Sequence, residues 1–142
     1  MNEFGKVVID VGTAPKAIGP YSQAIKSGNL VFLSMQIALD PKTGEMVGGN
    51  DVAAQARRAL QNIQAILDAS GSALARIVRT TVFLADMAEY EAVNKVYAEF
   101  FNYEPPARTA VQVSALPRGA RVGIDVIATC KTEEAQFGGS KF

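Results

Sequence analysis

The sequence predicts an α+β fold in which two amphipathic helices cover one face of a mixed sheet, in the order β-β-β-α-β-α-β-β. Two segments carry apolar residues at three- and four-residue steps, the mark of helices that bury one side. Several short segments rich in β-branched residues are separated by Gly- and Pro-containing turns, as strands are. The length of 142 residues, with 49% hydrophobic and 20% charged, suits one compact domain. A single domain is therefore expected over 1–142, with a core from about 6 to 131 and a polar, loose tail over 132–142.

The first strand is read in Lys6 to Val11, KVVIDV, and the GTAPKAIGP stretch after it predicts an irregular connection. Tyr21 to Lys26 and Leu30 to Ser34 flank Ser27-Gly28-Asn29, a spacing that predicts a hairpin. Asp40-Pro41-Lys42-Thr43-Gly44 reads as a turn, since Pro presets φ and Gly tolerates positive φ. The first helix is placed from a cap at Asn50 or Asp51 to Gly71, burying Val52, Ala56, Leu60, Ile63 and Leu67. Ile77 to Leu84, IVRTTVFL, is a strand buried on at least one side.

Asp86 and Glu89 have capping-box spacing at the start of the second helix, and Pro105-Pro106 bars its extension. Its buried stripe comprises Tyr90, Val93, Tyr97, Phe100 and Phe101. Arg108 to Leu116 and Arg121 to Cys130, joined by Pro117-Arg118-Gly119-Ala120, are predicted to close the chain as a hairpin. The second sheet face remains partly apolar, which invites self-association.

Composition excludes whole classes of chemistry. With 14 basic and 14 acidic residues and a formal net charge of zero, the chain has no general attraction for nucleic acid or anionic membranes. The absence of histidine rules out Ser-His-Asp and Cys-His nucleophile systems and imidazole-ligated metals. The single cysteine, Cys130, cannot form an internal disulfide and reads as a small core residue. No apolar run approaches the length of a membrane span, and no leader pattern opens the chain, so a cytoplasmic setting is expected. Gly48-Gly49 lacks the Lys-Ser/Thr of a phosphate loop, and Arg57-Arg58 reads as a solvated helix face.

Three residues resist the bland reading. Asn94 falls inside the buried arc of the second helix, where an amide needs partners. Asp125 interrupts an apolar strand, where a carboxylate must be paired or solvated in a cleft. Arg108 follows the rigid Pro105-Pro106 approach, which fixes where its guanidinium points. Each also has an ordinary structural reading: a cap for a neighbouring carbonyl, an ion-paired or edge-strand acid, and a solvated cation. If the closing hairpin pairs Leu116 with Arg121, then Arg108, Ala110, Gln112, Gly123 and Asp125 share one face, and a cation and an acid flank a small anion.

The segments AIGPYSQAI, LDPKTGEMVGG, DVAAQARRALQNI, TTVFLADMAEYEAVNKVYAEFF and PPARTAVQVSALPRGARVGIDVIA together resemble the RidA (YjgF) enamine/imine deaminases from about Thr13 to Lys131. The resemblance implies a chorismate-mutase-like fold, a homotrimer with a site at each subunit interface, and no cofactor or metal. It implies hydrolysis of 2-aminoacrylate and 2-iminobutyrate to 2-keto acids and ammonia. By motif, Arg108 matches the carboxylate-binding arginine, Tyr21 the tyrosine of the GPY segment, and Asn94 the asparagine of the second helix. Ser34 matches the serine of a Ser-Gly-Gln turn, and Asp125 stands where many members have a glutamate that handles the catalytic water.

Three departures follow. Met35 replaces the glycine of that turn and narrows the available space. Asp125 is one methylene shorter than glutamate, and Ala110 stands where many members have cysteine, leaving only its backbone for substrate. A non-catalytic 2-keto acid sensor with the same pocket is the alternative expectation. Chaperone and ribonuclease roles rank below it.

Overall fold

In a computed structural model, which describes residues 2–131, the expected order of elements is present. The strands are β1 (Val7–Ile9), β2 (Ala24–Ser27), β3 (Leu30–Gln36), β4 (Ile77–Leu84), β5 (Ala107–Gln112) and β6 (Val122–Thr129). The helices are α1 (Val52–Ala69) and α2 (Tyr90–Phe100). The tail expectation for 132–142 lies outside the described residues.

α1 begins where its cap chemistry demands, with the Asp51 carboxylate accepting from the N–H groups of Ala53 and Ala54. It ends at Ser70 and Gly71, the latter at φ 73°, where a residue without Cβ turns the chain. Its stripe of Ala56, Leu60, Ile63 and Leu67 is fully buried against the sheet. Both helices share one core cluster with Val31, Leu33, Val82, Leu84, Val122, Ile124 and Val126, so they lie on the same sheet face. The first strand is shorter than KVVIDV suggests, because Val11 leaves the ladder and exchanges hydrogen bonds with the Gln23 amide instead.

The predicted capping box is half formed. Asp86 caps a short 3₁₀ turn, Met87–Glu89, through the Ala88 N–H. Glu89, however, does not reach back to Asp86, because its carboxylate pairs with the Arg121 guanidinium.

The closing hairpin does not form. The sheet order is β1-β2-β3-β6-β4-β5, with β6 antiparallel to both β3 and β4. β5 is an edge strand parallel to β4, returned there by the crossover through α2. The physical reason lies in composition. VGIDVIAT buries five of its eight residues, including Val122, Gly123 and Ile124 in succession, and so suits the middle of a sheet. ARTAVQ has no fully buried residue and suits an edge.

This topology overturns the shared face expected for Arg108 and Asp125. Arg108 is level with Thr80 of β4, which in turn is level with Val126 on the helix-covered side. Asp125 is level with Thr81 and belongs to the opposite, open face. That face keeps exposed apolar side chains, Phe32 at 41% and Val111 at 36% exposure, as its alternating pattern predicts.

Candidate active site

The seven residues singled out from the sequence fall into two groups separated by the sheet. The first group lies on the covered face at the β5 edge. Tyr90, Asn94 and Tyr97 fall on one side of α2, and Arg108 reaches up to them from β5. Its Nη1 donates to Asn94 Oδ1 at 2.7 Å and its Nη2 to the Tyr90 hydroxyl at 2.8 Å. The guanidinium carbon also stands 4.8 Å from the Tyr97 ring centroid and 5.4 Å from that of Tyr90, within cation-π range.

All these partners are neutral. The ion pairs among the described residues are Arg57 with Glu99 and Arg121 with Glu89, and no described carboxylate neutralises Arg108. A guanidinium has five N–H donors in a planar fork, so after two are used three remain for an anion. Asn94 thus holds this cation in place by accepting from it. Ala110 follows two residues later on β5. The Val113 N–H bonds to the Leu84 carbonyl, so by the alternation of a parallel ladder Arg108 and Ala110 turn their backbone groups to the free edge.

Tyr97 completes the holder. It is buried, and its hydroxyl shares a 2.8 Å hydrogen bond with that of Thr80, the neighbour of Arg108 on β4. Burial pushes the Tyr97 phenol up from its ordinary value, against the opposing pull of the Thr80 hydrogen bond and the Arg108 charge. A raised folded value makes its stabilisation full below the unfolded value of about 10 and lost as pH rises through the folded one. Tyr97→Phe should therefore flatten the fall of stability above about pH 10, read as urea midpoints at neutral and alkaline pH.

The second group surrounds a cavity of about 400 Å³ beside the β2–β3 end of the sheet, where Tyr21, Ser34 and Met35 all form part of the wall. Tyr21 is 46% exposed, and its hydroxyl accepts from the Ile18 N–H at 3.2 Å, which ties the irregular Gly-Pro segment into one wall. The Ser34 hydroxyl donates to the Ser22 carbonyl at 2.7 Å. It therefore secures the chain entering β2 and offers a ligand only its lone pairs. Met35 lies in a bulge between the pairs Leu33↔Val126 and Gln36↔Ile124, so Ser34 and Met35 together oppose Asp125. Asp125, on the open face, lines a separate hollow with Phe32, Arg79 and Thr81.

Sequence reasoning missed the residues that shape this cavity from behind. Buried Gln23 donates to the Pro15 carbonyl at 2.8 Å, and its Oε1 accepts from the Val11 N–H. Buried Asn62 of α1 donates to the carbonyls of Ile37 at 3.2 Å and Leu39 at 2.9 Å, while accepting from Arg58 Nε. For Asn62 the signal was an amide inside the otherwise apolar arc of α1, the feature that marked Asn94, whereas Gln23, on the bend before β2, carried none. Arg58 is accordingly engaged, and Arg57 links the two helices at the surface.

The family described as Endoribonuclease L-PSP matches residues 11–130. The 2-iminobutanoate/2-iminopropanoate deaminase of Mus musculus is 45% identical over 90% of this chain and 94% of its own. The chain belongs to the RidA/YjgF family. Protein DfrA of Myxococcus xanthus is 52% identical over 90% of this chain and 98% of its own. The crystal structure of E. coli TdcF with bound serine superposes with a TM-score of 0.84 and 40% identity, covering 89% of this chain and 100% of that one. Among the described residues no helix is long and apolar enough to cross a membrane.

Proposed function

We propose that this protein hydrolyses 2-enamino and 2-imino acids, 2-aminoacrylate and 2-iminobutyrate among them, to 2-keto acids and ammonia. The observation that carries the reading is the Arg108 guanidinium, half-buried, fixed on two sides by neutral groups and lacking a described carboxylate. Such a cation grips a carboxylate through two parallel N–H bonds and presents C2 in one orientation. The deaminase name of the mouse relative and the serine in TdcF, an amino acid with a carboxylate, agree with this assignment.

The chemistry then needs only water and a proton carrier. An enamine first takes a proton at C3 to become the imine. Water adds to C2, its proton passes to nitrogen, and the carbinolamine collapses to the ketone with departure of ammonia. Asp125 is assigned the proton transfers, Tyr21 and Met35 the wall around the substrate, and the backbone of Ala110 a place beside the carboxylate. No step calls for a metal or cofactor.

Within one protomer the sheet stands between Arg108 and Asp125, so a complete site requires a second copy. We assign the site to the interface of a homotrimer, where the β5 edge of one protomer meets the open face and cavity of the next. The β5 edge, unpaired among the described residues, and the exposed Phe32 and Val111 favour that packing. The zero net charge and the lack of histidine weigh against the ribonuclease activity in the family's description.

The test generates 2-aminoacrylate with a serine dehydratase and follows pyruvate. Wild type should accelerate its release. Asp125→Asn should slow turnover by about 10²-fold or more, the worth of a positioned acid-base group, while 2-ketobutyrate binding measured by calorimetry stays within about threefold of wild type. Binding without acceleration in wild type would replace the deaminase reading with the sensor.

A further inference from the structure

Met35 occupies its bulge only because the strand beside it is bare. A Cβ built on Gly123 of β6 would stand 2.6 Å from the Met35 sulfur and 2.9 Å from its Cγ, with the Ile37 side chain 3.4 Å away. Real carbon contacts do not come that close, so the thioether lies in the notch that the missing side chain leaves. Gly123 is buried and does not have positive φ. Its backbone therefore makes no demand for glycine, and the space claimed by Met35 is what demands it.

The consequence falls on the cavity. Met35 forms its wall with Ile18, Tyr21, Ile37, Leu39 and Pro117, a largely apolar lining. At about 400 Å³ the space far exceeds the methyl or ethyl group of the smallest 2-imino acids, which take up little more than one or two waters at about 30 Å³ each. A thioether laid flat on β6 keeps that volume open, and one pushed off β6 would fill part of it. Methionine suits a movable wall, being unbranched and polarizable.

We infer that Gly123 is a specificity-determining residue that acts through Met35, keeping the cavity open to 2-imino acids with branched or thioether-sized apolar side chains. The inference rests on the site proposed above and refines its substrate class. Here the carboxylate goes to Arg108 and the side chain to the apolar cavity, so the two ends of the substrate are read by different elements. Discrimination by side-chain size is what such a pocket can deliver, since each methylene accommodated or refused changes affinity by about tenfold or more.

The experiment measures binding of pyruvate and of 4-methyl-2-oxopentanoate by calorimetry to the wild type, Gly123→Ala, Gly123→Ala/Met35→Gly and Arg108→Ala. Keto acids are used so that the readout does not depend on turnover. In Gly123→Ala the dissociation constant for the longer acid should rise about tenfold or more, with that for pyruvate moving less than about threefold. The double variant should restore the longer acid, because removing the thioether removes the obstruction. Equal weakening of both acids, no weakening of either, or failure of the double variant to restore binding overturns the inference. If Arg108→Ala abolishes binding of both while Gly123→Ala does not discriminate, only the inference falls. If Arg108→Ala leaves pyruvate binding intact, the site assignment falls and takes the inference with it.

Discussion

Arg108→Ala should lower kcat/KM for 2-iminobutyrate by about 10²–10⁴-fold, because two charge-assisted hydrogen bonds to the substrate carboxylate, each of about 1.5–3 kcal/mol, vanish together. The loss should appear largely in KM and in the binding of 2-keto acids, since a carboxylate is held in ground and transition states alike. Arg108→Lys should recover little of it. An ammonium cannot serve Asn94 Oδ1, the Tyr90 hydroxyl and a bidentate anion from one plane, and it gives up the stacking on Tyr97. Stability should change far less than activity, because Asn94 and Tyr90 are only partly buried and water can replace the lost donor. Steady-state rates beside a thermal melt separate the two effects. Full activity in the lysine variant would show that a point charge suffices and that the fork geometry plays no part.

Asn62→Ala should destabilise the protein by about 2–5 kcal/mol. The side chain is fully buried and its amide is a donor to the Ile37 and Leu39 carbonyls. Removing it leaves buried acceptors short of a partner at about 1–3 kcal/mol each and opens a small void besides. Leu39 N–H also bonds to the Ile37 carbonyl, so the larger share of the loss arises at Leu39. The same residues wall the cavity, and a variant that still folds should bind 2-keto acids more weakly. Urea unfolding of the wild type and variant measures the first effect, and calorimetry the second. A loss below about 1 kcal/mol would mean that the segment after β3 relaxes to find other donors.

Much of the architecture was legible from local pattern. The α1 stripe, the Asp51 cap and the Gly71 stop are decided within one or two helical turns, where side-chain period and backbone geometry leave little choice. The β2–β3 hairpin was legible for the same reason, since Gly28 at φ 59° makes the turn between short paired strands. The Asp40 turn is likewise local, its carboxylate accepting from the N–H groups of Lys42 and Thr43, which lowers its pKa below the ordinary carboxylate value.

Partner choice among the last strands was not legible. A hairpin between β5 and β6 satisfies the same alternation and the same turn residues as the observed insertion of β6 between β3 and β4. What selects the insertion is the burial of VGIDVIAT, whose Val122, Ile124, Val126 and Ala128 are all buried on the covered face, a property of the assembled sheet. From that error followed the placing of Arg108 and Asp125 on one face. The Met35 and Gly123 pairing was hidden for the same reason, because the two residues are distant in the chain and become neighbours only through the β3–β6 register.

The sequence alone therefore determined which elements exist, and it singled out Arg108, Asn94 and Asp125 as candidates, each with an ordinary structural reading beside the functional one. Those conclusions rest on short-range physics: periodicity, capping, and the cost of burying polar groups. The tertiary structure decided strand order, the face on which each side chain lies, and the neutral surroundings that, among the described residues, leave the Arg108 charge uncompensated. These depend on which distant segments bury one another, and burial is settled only when all the layers pack at once.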